Sequence, residues 1–314
     1  MKKLFFTLLL SAFTLLSELN AEVLRVNSPG DVATNTHLAN INALLIFTSQ
    51  DGLNTGLFHF TDIGVDMEIY NLPLKYHFKS DTKLNYFLVG NLGYSRTFAT
   101  KDILLPTDSR LNYDNHLRTY TAGLGLGVRY KFTDELRVLG GVEFIYSRSG
   151  ASVKEPGDDF GDAIEDFFNK NYNDNISYKL LLESVYKPKL ETFNPYIKLA
   201  YKFYDTKSDF TFDAFSSFKT QSSVLSLSSG FESNELWRYK SSYLTLEAYL
   251  NAYYLDGAVE KSVHFNKYAK LGGVAYWYLE DGPLWMERVF LEVSTIKADG
   301  LDGYNYGVGF SLKY

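Results

Sequence analysis

The amino-acid sequence predicts an all-β protein, a transmembrane antiparallel up-and-down β-barrel of about twelve strands. Three observations lead to this fold class. Large apolar residues alternate with small or polar ones over many segments, no apolar run beyond residue 16 reaches the roughly 18 residues of a membrane-spanning helix, and aromatic residues make up 17% of the chain. Lipid-facing and lumen-facing residues alternate in a barrel wall, so a mean hydropathy of −0.17 is compatible with a membrane protein.

The clearest alternation lies at the end of the chain, in Tyr304–Tyr314. Every even position there is large and apolar, and the odd positions are Asn305, Gly307, Gly309, Ser311 and Lys313. Successive side chains of a strand point to opposite faces, so this segment predicts one continuous apolar face. The pattern with its terminal Tyr314 resembles the C-terminal strand signal of bacterial outer-membrane β-barrels. The resemblance implies that Tyr304–Tyr314 is the segment that meets the barrel-assembly machinery.

The chain begins with the layout of a secretory signal peptide. Two lysines precede an apolar run, Leu4–Leu16, and the small residue Ala21 stands just before Glu22. We therefore expect residues 1–21 to be a signal peptide and residues 22–314 to be an outer-membrane β-barrel domain. The sequence has no cysteine, so we expect neither a lipoprotein anchor nor a disulfide framework.

Twelve segments carry the strand pattern. The first lies within residues 41–60, where its register is open. The others are expected near residues 70–78, 84–94, 121–130, 136–147, 177–186, 197–203, 222–232, 243–254, 268–278, 288–294 and 304–314. Pro73 counts against a ladder position in the second strand because proline cannot donate a hydrogen bond. The facing of the tenth strand stays open.

The expected connections differ in length on the two sides of the sheet. Long polar segments follow the third, fifth and seventh strands, at residues 101–115, 150–175 and 205–220, whereas the connections after even-numbered strands are mostly short. Short periplasmic turns opposite long loops are typical of bacterial outer-membrane barrels. A sheet in lipid must also close, because unpaired backbone groups in hydrocarbon are costly. A soluble β-sandwich would explain the alternation, but less easily the signal peptide, the loop lengths and the terminal aromatic together.

The whole architecture resembles the barrel domain of autotransporters standing alone. The signal peptide, the expected strand count and the aromatic terminus carry this resemblance, which implies location in the outer membrane of a Gram-negative bacterium, with outer-membrane lipid as surroundings. The stretch before the first strand is too short for a passenger domain. The resemblance is one of topology, so it assigns no functional residues.

The expected inner face carries charges of both signs. We expect nine residues to line the lumen: Arg129, Glu143, Lys179, Glu183, Lys198, Lys202, Glu247, Arg288 and Glu292. They could line a wet, weakly selective pore, or they could pair across a plugged lumen and only stabilise the wall. Two functions therefore remain: a narrow, porin-like channel for small solutes, or a structural or surface-interaction barrel with a closed lumen.

The sequence indicates no enzyme, cofactor or metal site. Of the five histidines only His116 has a carboxylate within two residues, which is not a catalytic motif, and no cysteine or histidine cluster suits a transition metal. The carboxylates between Glu155 and Asp174 lack the spacing of an EF-hand loop, so we interpret them as a solvated acidic loop.

The remaining patterns exclude nucleotide and nucleic-acid partners. The glycines at 123, 125 and 127 alternate with apolar residues in a strand pattern and do not open a helix, unlike a phosphate-binding loop. A net charge of −6 argues against nucleic acid as a partner.

Overall fold

A computed structural model describes residues 53–60, 65–78, 82–104, 110–154, 172–188, 190, 193–210, 218–263, 265–280 and 286–312. The elements, in chain order, are β1 (Leu53–Phe60), β2 (Val65–His77), β3 (Leu84–Leu104), β4 (Arg110–Lys131), β5 (Leu136–Lys154), β6 (Tyr172–Tyr186), β7 (Phe193–Phe210), β8 (Phe218–Ser233), β9 (Trp237–Tyr239), β10 (Ser242–Gly257), α1 (Ala258–Val263), β11 (Lys267–Leu279), β12 (Met286–Ala298) and β13 (Leu301–Leu312). The expected signal peptide and the acidic loop at 155–171 lie outside the described residues.

The strands form one closed antiparallel barrel. Each strand pairs with its neighbour in sequence, except that β8 pairs with β10, and β1 pairs with β13 from Leu53↔Val308 to Phe60↔Leu301, which closes the ring. The short β9 pairs with the start of β10 and continues the line of β8, so twelve strands make the wall. The predicted fold class, a barrel of about twelve strands, is confirmed. The first strand occupies the end of its expected window.

The barrel has two ends that differ in height. We call the end where β1 begins and β13 finishes the terminal end, and the opposite one the far end. On the β3–β5 side the strands contain 21, 22 and 19 residues, against 13, 13 and 12 for β11–β13. The wall on the β3–β5 side therefore rises higher at the far end.

This height corrects the loops expected at 101–115, 150–175 and 205–220. The flanking strands enter all three segments: β3 and β4 leave only residues 105–109 between them, β7 and β8 leave 211–217, and β5 and β6 take residues 150–154 and 172–175 of the segment at 150–175. Ladder hydrogen bonds hold strands together outside lipid as well as inside it. Beyond the lipid both faces can be polar, so the alternation that reveals a strand disappears while the strand continues.

Outward and inward side chains separate along each strand as the alternation predicted. On β4 the outward Leu124 and Leu126 are 70% and 60% exposed, and on β13 Tyr304 and Val308 point outward while Asn305 is buried. The open case, β11, is also resolved: Leu271 faces outward and the even-numbered positions face inward.

Pro73 lies inside β2, opposite Asn91 of β3. The β1–β2 ladder ends at Asn71, so β2 has a described neighbour on one side only at this point. A proline is tolerated where its missing donor faces away from a ladder.

Aromatic rings border the apolar outer band at both ends. At the far end Tyr70, Tyr94 and Tyr120 stand side by side, with ring centroids 6.0 and 5.0 Å apart. At the terminal end Trp237 and Trp277 have centroids 5.2 Å apart. Charged residues face outward one step beyond the far-end ring, at Glu68, Arg96, Arg118, Arg148, Asp174, Asp256, Lys267, Lys297 and Asp302. An apolar band between aromatic girdles is what lipid imposes on a membrane barrel.

Within the described ranges, no helix combines the length and the apolar character needed to cross a bilayer.

The barrel lumen as candidate functional site

A cavity of about 990 Å³ occupies the lumen on the terminal side. Its lining runs from Tyr253 and Asn251 in the middle of β10 to residues beside the terminal-end turns, such as Lys187 and Glu287. Lys187 keeps 45% of its side chain exposed, so the cavity reaches solvent at the terminal end.

All nine residues expected at the lumen face this cavity. They are Arg129, Glu143, Lys179, Glu183, Lys198, Lys202, Glu247, Arg288 and Glu292. The strands β4–β7 contribute every one of the cations except Arg288, and β10 and β12 contribute Glu247 and Glu292. The β4–β7 wall is therefore the more positive side of the cavity.

Two ion pairs hold charges within the wall. Lys179 Nζ lies 2.8 Å from Glu143 Oε2, and Lys270 Nζ lies 2.8 Å from Glu292 Oε1. The second pair is nearly free of solvent, with the Lys270 and Glu292 side chains 1% and 8% exposed. Tyr249 also donates its hydroxyl to Glu292 Oε1. Charges at membrane depth are stable when they are paired in this way.

Tyrosines hold two further carboxylates of the β8–β12 wall, Glu247 and Glu232. Tyr196 and Tyr276 donate to the two oxygens of Glu247 at 2.6 and 2.8 Å. Tyr278 donates to Glu232 at 2.9 Å, and Arg288 donates to the Tyr278 hydroxyl at 2.6 Å. These contacts fix the acidic groups against the wall, so this side of the cavity is a preorganised polar surface.

Glycines make room for two of these side chains. A Cβ on Gly272 would lie 2.5 Å from the Tyr249 hydroxyl, and a Cβ on Gly123 would lie 2.5 Å from Glu143 Oε1. Tyr249 and Glu143 can therefore lie flat across the neighbouring strand. The glycine alternation of β4 serves packing inside the barrel.

An apolar layer lies above the cavity on its far side. Its members are Phe58, Met67, Ile69, Ile145, Tyr204, Val224, Leu255, Val259, Val263, Phe265, Tyr268, Ile296 and Leu301. They come from nine strands, from α1 and, in the case of Phe265, from the segment between α1 and β11, and the cavity lining includes none of them.

Helix α1 contributes residues to this layer but is not part of the barrel wall. The chain turns into it at Gly257, whose φ of 84° suits glycine, and Leu255 N donates to Asn266 O at 2.8 Å across the base of the segment. Val259 and Val263 are buried in the layer, at 0% and 4% exposure. The segment between β10 and β11 thus folds inward over the lumen.

Small polar side chains fill the wall farther toward the far end. Thr119 and Ser149 share a hydrogen bond of 2.7 Å, as do Ser177 and Thr206, and Ser208 donates to Asn173 at 3.1 Å. All of these side chains are buried. Among the described residues, a hydroxyl and amide network thus accompanies the apolar layer on the far side of the cavity.

Sequence reasoning missed several of these groups. Lys270 and the inward tyrosines Tyr276 and Tyr278 lie on β11, the strand whose facing the pattern left open. The single charged residue within that run, Lys270, was the available signal, since a lysine in a barrel wall at lipid depth belongs inside. Helix α1 has six residues and offers no helical period to read.

The described residues bring together no group of three or more His, Asp or Glu side chains that could hold a metal ion.

The closed ring, the apolar band and the girdles define an outer-membrane β-barrel. Solved structures with the same fold include the transport unit of the autotransporter AIDA-I from Escherichia coli, with a TM-score of 0.58, 10% identity and coverage of 92% of this chain and 100% of that chain. The translocator domain of the autotransporter NalP from Neisseria meningitidis has a TM-score of 0.55 and 12% identity, with coverage of 90% of this chain and 98% of that chain. The β domain of the Bordetella autotransporter Brka has a TM-score of 0.50 and 10% identity, with coverage of 83% of this chain and 98% of that chain.

The chain therefore has the fold of autotransporter translocator domains, as its architecture suggested. At these identities the likeness is one of fold. No protein-family model matches the chain, and no curated protein matches it in sequence.

Proposed function

We propose that this outer-membrane barrel works with a closed lumen and acts through the surfaces at its two ends. The apolar layer is the observation that carries the proposal. A conducting pore needs a continuous polar path, and a cluster of thirteen buried hydrophobic residues from nine strands, α1 and Phe265 supports the proposal that this path is interrupted.

The two ends then have different roles. The raised wall of β3–β5 gives the far end a surface that can contact a partner, and the terminal end offers the charged cavity. Barrels of this kind keep their chain ends and short turns in the periplasm. We accordingly assign the terminal end to the periplasm and the far end to the cell exterior, with β13 as the segment that meets the barrel-assembly machinery.

The proposal is tested by single-channel current after the mature chain, residues 22–314, is refolded into planar bilayers. Folding is checked first by heat-modifiable gel migration. We expect the native barrel to give no discrete current steps. A double variant, V259D/V263D, places two charges in the apolar layer and should open a path that the native chain lacks. Lys261→Asp on the exposed side of α1 is the matched control and should stay silent.

A narrow channel for small solutes is the second candidate, and the cavity favours it. Fourteen charged residues, the nine expected at the lumen among them, line a water-accessible space over part of the lumen. This candidate requires the apolar layer to open spontaneously. Current steps in the native barrel that change with Lys198 or Glu247 substitution would establish it and overturn the closed-lumen proposal.

A further inference from the structure

A recess lies where β7 and β8 face the cavity. In the ladder Lys198 stands opposite Ser228, Ala200 opposite Ser226, and Lys202 opposite Val224. Directly opposed residues have Cβ atoms about 5 Å apart. Two long lysine side chains therefore flank a floor of short ones, and Lys198, Lys202, Ala200 and both serines line the cavity.

The Lys202 side of this recess is the blind end of the cavity. The neighbours of Lys202 are Tyr204 on its own face of β7 and Val224 on β8, and both belong to the apolar layer, buried to 1% and 3% exposure. A solute that enters from the terminal end meets Lys202 last, directly beneath the seal.

The Lys202 ammonium has no ion-pair partner among the described residues. Lys202 shares the β5–β7 wall with Lys179 and with two carboxylates, Glu143 and Glu183. Glu143 is already bound by Lys179 at 2.8 Å. Within the described part of the chain, no carboxylate oxygen lies within 4.0 Å of the Lys202 ammonium. A cation held at membrane depth without a counter-ion is costly.

Hydrogen-bond donors complete the recess. Ser226 and Ser228 stand on β8 opposite Ala200 and Lys198 of β7 and line the same cavity, so hydroxyl and ammonium donors come from two neighbouring strands. Ammonium and hydroxyl donors around a concave space are the chemistry that binds an oxyanion.

We propose that this recess binds a small oxyanion, a solute bearing a carboxylate or phosphate group, between the Lys202 ammonium and the hydroxyls of Ser226 and Ser228. The anion supplies the counter-charge that the wall lacks and enters from the terminal end. The inference rests on the proposed function only in that the apolar layer makes the cavity blind.

Glu183 is the carboxylate of the wall that competes with a solute as the counter-ion of Lys202. It stands opposite Ala200, with Lys198 and Lys202 diagonal to it across the ladder. No oxygen of its carboxylate lies within 4.0 Å of the Lys202 ammonium, so Glu183 forms no ion pair with Lys202 and leaves that charge for the solute. If Glu183 neutralised the recess by itself, added anion would have no effect.

The test measures binding of inorganic phosphate to the refolded barrel by isothermal titration, with chloride at equal ionic strength as the blank. We expect saturable binding, and we expect Lys202→Met to weaken it about 10- to 100-fold, the usual worth of one charge-assisted hydrogen bond. Lys75→Met is the matched control. It removes an ammonium from the same cavity, where Lys75 lies over the Phe87 ring at 4.7 Å, and should leave binding unchanged.

A second variant tests the same proposal if K202M does not fold. The double variant S226A/S228A keeps every charge and should weaken phosphate binding while it leaves chloride behaviour unchanged. Acetate in place of phosphate tests whether the recess accepts carboxylates. Native barrel without saturable phosphate or acetate binding, or equal binding by K202M and K75M, would overturn the inference. Bilayer current decides the closed-lumen proposal separately, so either can fail alone.

Discussion

Removing one partner of the buried ion pair Lys270–Glu292 should lower the free energy of unfolding by several kcal/mol. The Lys270 and Glu292 side chains are 1% and 8% exposed, and their charged atoms lie 2.8 Å apart. Lys270→Met leaves the Glu292 carboxylate with the Tyr249 hydroxyl as its remaining donor. Breaking a buried pair from one side costs about 3–5 kcal/mol, because an uncompensated charge stays behind.

A double variant separates the charge from the packing. In K270M/E292Q no charge remains, and the amide oxygen at position 292 can still accept from Tyr249. We expect a loss of only about 1–2 kcal/mol, the scale of one altered neutral hydrogen bond and some packing. The double variant should thus be more stable than K270M alone.

The assay is urea unfolding of the barrel in lipid vesicles, followed by tryptophan fluorescence and gel migration. Lys297→Gln is the control, on β12, the strand that carries Glu292. Lys297 and Asp302 lie 3.6 Å apart with side chains 80% and 61% exposed, and such a pair contributes less than about 1 kcal/mol. If K270M lost no more than K297Q, the lumen at this level would be wet and the reasoning refuted.

Three further perturbations test other parts of the wall. Leu126→Arg puts a charge in the middle of the lipid-facing band and should cost about 2–4 kcal/mol in vesicle unfolding, whereas an unchanged midpoint would contradict the placement of the band. Gly127→Ala brings a Cβ within 2.3 Å of the Phe87 ring and 2.6 Å of Gly140 O and should reduce the folded yield, while Gly150→Ala meets nothing within 4 Å and should match the native yield. The Arg148 guanidinium, beyond the far-end girdle, lowers the pKa of the Asp174 carboxyl, so this contact stabilises the barrel above the unfolded pKa of about 4 and is lost as pH falls through the lower folded pKa. Asp174→Asn should therefore reduce the fall of the unfolding free energy at acid pH, and an unchanged pH dependence would count against the contact.

The fold could be read from the sequence where lipid imposes the period of two. In Tyr304–Phe310 each outward residue must be apolar and each inward one is small or polar, so the pattern specifies both the strand and its facing. On β11 the rule weakens, because Tyr276 and Tyr278 face inward and Leu271 faces outward, which leaves apolar residues on both sides. The upper ends of β3 and β4 stand beyond the lipid and carry no alternation at all.

The site could be predicted residue by residue but not as a set of contacts. Alternation places Glu143 and Lys179 on the inner face, yet 36 residues and a long connection separate them, and only the register of β5 against β6 brings them together. The apolar layer was out of reach for the same reason. The apolar layer takes one or two residues from each of many strands, and none of them stands out from its neighbours in the sequence.

Thiol labelling tests most directly the claim that the lumen opens at the terminal end and is closed at the far end. The chain has no cysteine, so Lys198→Cys places a unique thiol inside the cavity. Glu235→Cys in the terminal-end turn and Asp256→Cys near the far end report, in the same vesicle preparation, which end faces the added membrane-impermeant maleimide. We predict that the K198C thiol reacts whenever E235C reacts and stays unmodified when only D256C is reached. Labelling of K198C from the D256C side would show an open lumen and contradict the account.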